Sequence, residues 1–331
     1  MLIKNSVYEP FILTIPDDVI VFSMFDSKDT FMQKFIMENY INFYGISPPL
    51  LHEVVFRFEN FMDYESIHGL ERCFIPIGMM KKYYFNEDII IQLLDEGYVI
   101  RMPVDRSCID FYGEGAVGTH HLLIFGADLE ERFFICKDFK RHEFIEFTIP
   151  FSALMKSTDK YDNPGSREAN GLLALRIDRT VSERIEYARV LSEFHKLGQD
   201  IYDSYSGYGI GAISLFTQDV RDKEWDSALG YKWYEVSNYM REAAKLMTCR
   251  CGILSDIFAE KSMTGVEELE QLVRKLSTDT SILYFKVCKF EMKEVISKTE
   301  ISKQLAVLAD VCKEDFKKVS DCFCDMIGFL M

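Results

Sequence analysis

The stretch from Gly118 to Phe139, GTHHLLIFGADLEERFFICKDF, decides how the first half of the chain is interpreted. Two adjacent histidines open an apolar run, a Gly-Ala-Asp segment follows, and a second apolar run ends on Asp138. The two runs predict two β-strands joined by a reversal, and Asp128 is expected to belong to that turn. Because neighbouring residues of a strand point to opposite faces, only one of His120 and His121 can face a site. The hairpin is therefore either a plain core element or the His/Asp half of a catalytic site.

Composition and charge narrow the class of protein. The 331 residues are long enough for two domains, and 48% hydrophobic with 27% charged residues is ordinary for a globular protein. The net charge of −15 at pH 7 repels phosphate backbones and anionic lipids, so neither nucleic acid nor membrane is expected as a partner. The nine cysteines are irregularly spaced, and neither a signal peptide nor a transmembrane run is recognised. These features predict a cytoplasmic protein with reduced thiols.

Periodicity divides the chain into an α/β half and a helical half. Helices are predicted over 29–44, over 47–61 (SPPLLHEVVFRFENF) and over a segment that ends at Gly97. Strands are predicted at 98–104, in the hairpin, at 144–149 and at 171–178, with a short helix after residue 150. An amphipathic stripe from 181 to 205 predicts a long helix, and further helices are predicted at 212–220, 224–260, 264–296 and 301–330. The predicted fold is α+β, with an α/β domain over 1–179 and an all-helical domain over 180–331.

The order of several short motifs resembles a known family. The motifs are NFYG (42–45) at the end of a predicted helix, LLDEGYVIRMPVD (93–105), HHLLIFGAD (120–128), KDF (137–139) and EFTIPFSAL (146–154). This order is similar to the papain-like fold of bacteriocin-leader cysteine peptidases, and closer to the butirosin-biosynthesis acyltransferase type and the amide-forming members beside nonribosomal assembly lines. In that family the catalytic His opens a strand six residues before a Gly, and an Asp closes the next strand. His120, Gly126 and Asp138 match that pattern.

The resemblance covers about residues 20–155 by motif and the remainder by general character. It implies a papain-like N-terminal domain followed by a helical C-terminal domain. It further implies that an acyl chain is captured from a carrier-protein thioester on a cysteine and transferred to an amine. His120 would then be the base and Asp138 its orienting partner, with backbone N–H groups near Thr30 stabilising the oxyanion.

The resemblance also implies the partners. They would be an acyl or peptidyl carrier protein and a small amine or peptide substrate, with no cofactor and no metal. A basic patch of Lys137, Lys140 and Arg141 is a candidate dock for an acidic carrier protein.

The nucleophile departs from the family pattern. Its position falls near residue 32, within SKDTFMQKF (27–35), where Met32 cannot act as a nucleophile, and no cysteine precedes Cys73. The remaining candidates are Ser27 and Thr30, if the helix starts a turn earlier, and Cys108 on the loop before the histidine strand. Three functions therefore stay open. The chain is an acyltransferase with an unusual nucleophile, a pseudoenzyme that binds a carrier protein or peptide intermediate, or a hydrolase with Ser27 or Thr30 as nucleophile.

Two further patterns do not predict a site. The pairs Cys249-x-Cys251 and Cys322-x-Cys324 are poor zinc chelates because residues i and i+2 of a helix face different directions. The glycines of SGYGIGAIS (206–214) lack the preceding strand and spacing of a dinucleotide-binding loop. They predict instead a connection between helices in which two backbone segments approach closely.

Overall fold

The computed structural model describes the chain except for residues 11, 13–15, 25, 27–28, 48–53, 59–68, 84, 141–142, 162–170, 181–183, 224–226 and 292–297. The helices are α1 (Pro16–Ser23), α2 (Thr30–Glu38), α3 (Ile77–Lys82), α4 (Glu87–Asp95), α5 (Phe151–Lys160), α6 (Tyr187–Leu197), α7 (Ile210–Asp222), α8 (Ser227–Glu260), α9 (Glu267–Glu291) and α10 (Lys298–Gly328). The strands are β1 (Leu2–Lys4), β2 (Phe43–Ile46), β3 (Val55–Phe58), β4 (Leu70–Pro76), β5 (Val99–Asp105), β6 (Thr119–Asp128), β7 (Phe133–Lys140), β8 (Glu143–Pro150), β9 (Gly171–Ile177), β10 (Ile201–Tyr202) and β11 (Ser206–Tyr208).

The prediction of a mixed α+β chain with a sheet-rich first part and a helical second part is confirmed. The chain divides into two compact units. The sheet unit comprises Met1–Lys28 and Tyr64–Val181, and the helical unit comprises Asp29–Asp63 and Ser182–Met331. The segment that carries α2, β2 and β3 thus belongs to the helical unit. The division of the chain at residue 180 into two consecutive domains stays a prediction.

An antiparallel sheet organises the sheet unit. Its described strands run in the order β4-β9-β5-β6-β7-β8, and β1 pairs with the far end of β6. Alternate side chains of these strands form an apolar core with residues of α3, α4 and α5, including Ile90, Leu94, Ile124, Phe134 and Leu154. Each such side chain contributes about 1.5–3 kcal/mol when it is fully buried. The central strands are therefore a rigid support for any polar residue that they carry.

In the helical unit, a buried arginine secures the end of α2. The Arg250 guanidinium on α8 donates from Nε to the Ile36 carbonyl over 2.9 Å and from Nη2 to the Asn39 carbonyl over 2.6 Å. These carbonyls lie at a helix C-terminus, where the helix itself offers no partner and the dipole favours a cation. Burial lowers the pKa of Arg250 to about 9. The same unit holds a small antiparallel sheet in the order β10-β11-β2-β3.

The helix predicted over 47–61 is wrong in its described part. Residues 55–58 form β3, which pairs with β2, while residues 48–53 and 59–61 lie outside the described part of the chain. Val54, Phe56 and Phe58 are buried and the residues between them are half-buried. This alternation is the period of a strand, and β-branched and aromatic side chains suit it.

The helix predicted to end in NFYG is shorter than expected. α2 ends at Glu38, the Asn39 side chain donates to the Phe35 carbonyl over 3.0 Å, and Tyr40 takes a positive φ of 57°. An asparagine followed by a left-handed residue is a common way to end a helix. The Phe-Tyr-Gly sequence then belongs to strand β2.

The long helix predicted over 181–205 is also wrong in extent, and the C-terminal part is not all-helical. α6 ends at Leu197, and β10 and β11 follow as a short hairpin. The Asp203 carboxylate accepts the backbone N–H groups of Tyr205 and Ser206, both over 2.7 Å. This local turn is more favourable for Asp and Ser than a continued helix.

The predicted close backbone approach at SGYGIGAIS is confirmed. A Cβ atom on Gly211 would lie 2.2 Å from the Ile201 carbonyl oxygen, and one on Gly207 would lie 2.5 Å from the Gly211 carbonyl oxygen. Only glycine fits at such distances. In the described part of the chain, no helix has the length and apolar character needed to cross a bilayer.

Candidate functional site

β6 and β7 place His120 and Asp138 side by side on the core face of the sheet. Cys136 pairs with Ile124 across the two strands, so alternation puts His120 and Asp138 on the face of these buried residues. The imidazole Nε2 lies 2.8 Å from Asp138 Oδ2. The structure therefore brings together the two residues that the hairpin motif singled out.

The Asp138 carboxylate is 5% exposed and is surrounded by donors. Its Oδ2 also accepts the Tyr112 hydroxyl over 2.6 Å, and its Oδ1 accepts the backbone N–H of Phe139 over 2.7 Å. Three donors offset the cost of removing an ionised carboxylate from water. The position of the Asp138 carboxylate is therefore fixed by its partners.

The contact of 2.8 Å between His120 Nε2 and Asp138 Oδ2 favours a proton on Nε2. In the neutral ring this tautomer leaves the lone pair on Nδ1. The imidazole remains 31% exposed, so a reactant can reach it. A partly exposed imidazole held by a buried carboxylate is the arrangement of a general base.

Tyr112, which the sequence analysis did not single out, completes the cluster. It lies in a single 3-10 turn, Asp110–Tyr112, and its ring meets that of His120 edge to face with centroids 5.6 Å apart. Burial, reinforced by the Asp138 charge, raises the pKa of Tyr112, so its phenol stays protonated and donates. The one local signal was the aromatic pair Phe111-Tyr112 before a glycine on the loop that leads to the histidine strand.

The neighbouring Phe111 anchors the turn that carries Tyr112. Its ring stacks on that of Phe147 with centroids 3.7 Å apart, and its carbonyl accepts Lys140 Nζ over 3.3 Å. Gly113 follows with a φ of 89°, which ends the turn in a conformation that other residues avoid. The position of Tyr112 is thus fixed by packing as well as by its own hydrogen bond.

Cys108 lies on the same loop, in the preceding 3-10 turn Arg106–Cys108, and is half-buried. Its Sγ lies 3.9 Å from Ser107 Oγ. In the described part of the chain, no hydrogen bond joins Cys108 to His120. The structure therefore supplies no thiol–imidazole pair at this position.

The remaining nucleophile candidates are Thr30 and Ser27. Thr30 is the exposed first residue of α2 in the helical unit, and Ser27 lies outside the described residues. Met32, at the counted nucleophile position, is buried. The Asp29 carboxylate accepts the Phe31 N–H over 2.9 Å, so one donor of the predicted oxyanion site is already satisfied by an anion.

The other residues of the hairpin have structural roles. His121 lies on the opposite face from His120, with its ring centroid 6.3 Å from that of Tyr161. Asp128 accepts the N–H groups of Glu130 and Glu131 over 2.9 and 3.1 Å, which confirms it as a turn residue. Cys136 is fully buried, and burial followed by the Asp138 charge raises its pKa.

A thiol–imidazole contact does exist in the helical unit. Cys324 Sγ on α10 lies 3.6 Å from His195 Nδ1 on α6. Burial, with Asp321 and Asp325 adding to it, raises the pKa of Cys324 to about 11, which disfavours the thiolate that a nucleophile needs. Among the described residues, no group of three or more His, Cys, Asp or Glu side chains could hold a metal ion.

The basic patch expected to receive a carrier protein is not a single surface. Lys137 Nζ lies over the Phe144 ring at 5.2 Å, whereas Lys140 Nζ lies over the Phe111 ring at 5.0 Å. Residues i and i+3 of a strand point to opposite faces, so the two ammonium groups are separated by the sheet. Arg141 lies outside the described residues.

No known protein family matches the chain, and no curated protein matches it significantly. The chemistry of this site is therefore inferred from its own residues and their geometry.

Proposed function

We propose that this protein transfers an acyl group from a carrier-protein thioester to an amine, with His120 as the general base. The observation that carries the proposal is the contact of 2.8 Å between His120 Nε2 and a buried, fully hydrogen-bonded Asp138. The order of motifs that resembles the butirosin-type acyltransferases supports the choice of an acyl thioester as substrate.

The proposed step is direct attack by the amine. A neutral amine adds to the thioester carbonyl and forms the C–N bond, and its N–H proton passes to His120 Nδ1. The C–S bond then breaks, and the imidazolium returns the proton to the leaving thiolate. Asp138 holds the ring and stabilises its charged form throughout. Direct attack requires no protein nucleophile.

The test uses acyl thioesters of N-acetylcysteamine, which mimic the end of a carrier-protein arm, with a panel of small amines. Amide formation is followed by mass spectrometry. We expect His120→Ala to slow it by about 10²–10⁴-fold, the usual contribution of a general base. The matched control is His121→Gln, because that side chain is adjacent in sequence but lies on the opposite face of β6.

The intact mass of the protein during turnover separates direct attack from a covalent route. No acyl adduct is expected to accumulate. An adduct that Cys108→Ser removes would replace direct attack by a two-step mechanism through the thiol.

A second candidate is binding without turnover. The sequence at the counted nucleophile position favours it, because Met32 cannot act as a nucleophile. This candidate predicts that a loaded carrier protein binds in calorimetry while no tested thioester yields an amide.

A further inference from the structure

We infer that Tyr112 is a positioning residue that holds Asp138, and through it the imidazole of His120, in one orientation. The inference rests on the proposed function only for its activity readout. The orientation of the imidazole can be measured in the protein alone.

Tyr112 and His120 bind the same carboxylate oxygen. The phenol O–H donates to Asp138 Oδ2 over 2.6 Å, the Phe139 N–H donates to Oδ1 over 2.7 Å, and His120 Nε2 lies 2.8 Å from Oδ2 as an ion-pair contact. One hydrogen bond on each oxygen fixes the carboxylate against rotation about its terminal bond. Without the phenol, Oδ2 keeps only its contact with the imidazole.

The ring of Tyr112 also limits the movement of His120. The edge-to-face contact at 5.6 Å places the phenol against the imidazole, so the imidazole cannot turn freely about its own bond to Cβ. The stacking of Phe111 on Phe147 holds the turn that presents Tyr112. The hydroxyl and the ring of one side chain thus restrain both members of the pair.

A hydroxyl deletion isolates the hydrogen bond from the packing. Tyr112→Phe keeps the ring and its contact with His120 but removes the donor to Asp138. The chain offers a matched control in Tyr98→Phe, because the Tyr98 hydroxyl also donates to a carboxylate of the same unit, Glu71 Oε2, over 3.3 Å. Circular dichroism of both variants establishes that they fold.

The first readout is the long-range ¹H–¹⁵N correlation spectrum of His120 at alkaline pH, which reports the populations of the two neutral tautomers. Wild type and Tyr98→Phe are expected to show the Nε2–H tautomer alone, and Tyr112→Phe is expected to show a mixture. A single Nε2–H tautomer in folded Tyr112→Phe would overturn the inference.

The second readout is the rate of amide formation. Loss of one hydrogen bond to a charged group predicts a kcat lowered by about tenfold in Tyr112→Phe with KM unchanged. If neither wild type nor any variant forms amide, but the tautomer still shifts in Tyr112→Phe, the positioning role of Tyr112 stands and the proposed function fails. If amide forms at the same kcat in wild type and Tyr112→Phe, the positioning role fails and the proposed function stands.

Discussion

His120 on β6 and Asp138 on β7 lie on one face of the sheet, with imidazole Nε2 and carboxylate Oδ2 2.8 Å apart. The pair sits where the apolar core face ends, so the carboxylate is buried while the imidazole stays partly accessible. In the proposed reaction, the buried carboxylate would orient the imidazole, and the more accessible imidazole would exchange a proton with a reactant.

Replacement of Asp138 should destabilise the fold as well as disturb the site. Asp138→Ala leaves the Tyr112 hydroxyl and the Phe139 N–H without their acceptor in a largely buried position. We expect the free energy of unfolding in urea to fall by about 2–4 kcal/mol, because unsatisfied buried donors carry their full desolvation cost. Asp88→Ala on the exposed first turn of α4 is the control and should change it by less than about 0.5 kcal/mol. Equal effects of the two substitutions would contradict the described hydrogen bonds.

Gly211 should not tolerate a side chain. A Cβ there would meet the Ile201 carbonyl oxygen at 2.2 Å, so Gly211→Ala must displace backbone at the β10–α7 junction. A loss of about 2 kcal/mol or more in the free energy of unfolding is expected. Gly252→Ala on α8 is the matched control, because a Cβ there meets nothing within 4 Å, and it should stabilise the protein by up to about 1 kcal/mol. If Gly211→Ala left the free energy of unfolding unchanged, the close approach of Gly211 to the Ile201 carbonyl would be contradicted.

Glu38 should make stability depend on pH. Burial raises its pKa above the ordinary value of 4.5, although Oε1 accepts the Glu186 N–H over 2.7 Å. A raised pKa in the folded state means that stability is fully present below pH 4.5 and is lost as the pH rises through the folded pKa. Urea unfolding at a series of pH values should show this decline in wild type and a weaker decline in Glu38→Gln. Parallel curves for the two proteins would contradict the assignment, and Glu267→Gln at the exposed start of α9 serves as control.

Cys324 should react slowly despite its contact with His195. With a pKa raised to about 11 by burial and by Asp321 and Asp325, only about one thiol in ten thousand is a thiolate at pH 7. Alkylation by iodoacetamide, measured on the Cys324 peptide by mass spectrometry, should accelerate about a hundredfold between pH 7 and pH 9. A short cysteine peptide with an ordinary pKa of about 8.5 should accelerate only about 25-fold over the same range, because most of its thiol is already ionised at pH 9. A rate for Cys324 that levels off below pH 9 would mean that His195 activates the thiol.

The resemblance singled out His120 and Asp138 in the sequence, and their proximity in the structure follows from local hairpin geometry. Strand alternation puts His120 and His121 on opposite faces of the sheet, and the two adjacent strands of the hairpin bring Asp138 near His120. Tyr112 could not be found in this way. Its contact with Asp138 depends on how a loop with two short turns folds back over the strands, and no sequence period encodes that path.

The errors in the fold arose in the small sheet of the helical unit. Gly45 on β2 pairs with Gly207 on β11, so the small sheet of the helical unit joins segments about 160 residues apart. Each strand is only two to four residues long, so its sequence cannot be distinguished from the end of a neighbouring helix. Tertiary pairing then overrides the local helical pattern. The long helices α8, α9 and α10 were predicted closely because their apolar period persists over many turns.

General-base catalysis by His120 is tested most directly by the rate of amide formation from an N-acetylcysteamine thioester and an amine. The rate is measured for wild type, His120→Ala and His121→Gln. General-base catalysis by His120 predicts amide formation by wild type and His121→Gln, and a rate at least about a hundredfold lower for folded His120→Ala. Equal rates for wild type and His120→Ala, or no amide from wild type with any acyl chain and amine tested, would contradict it.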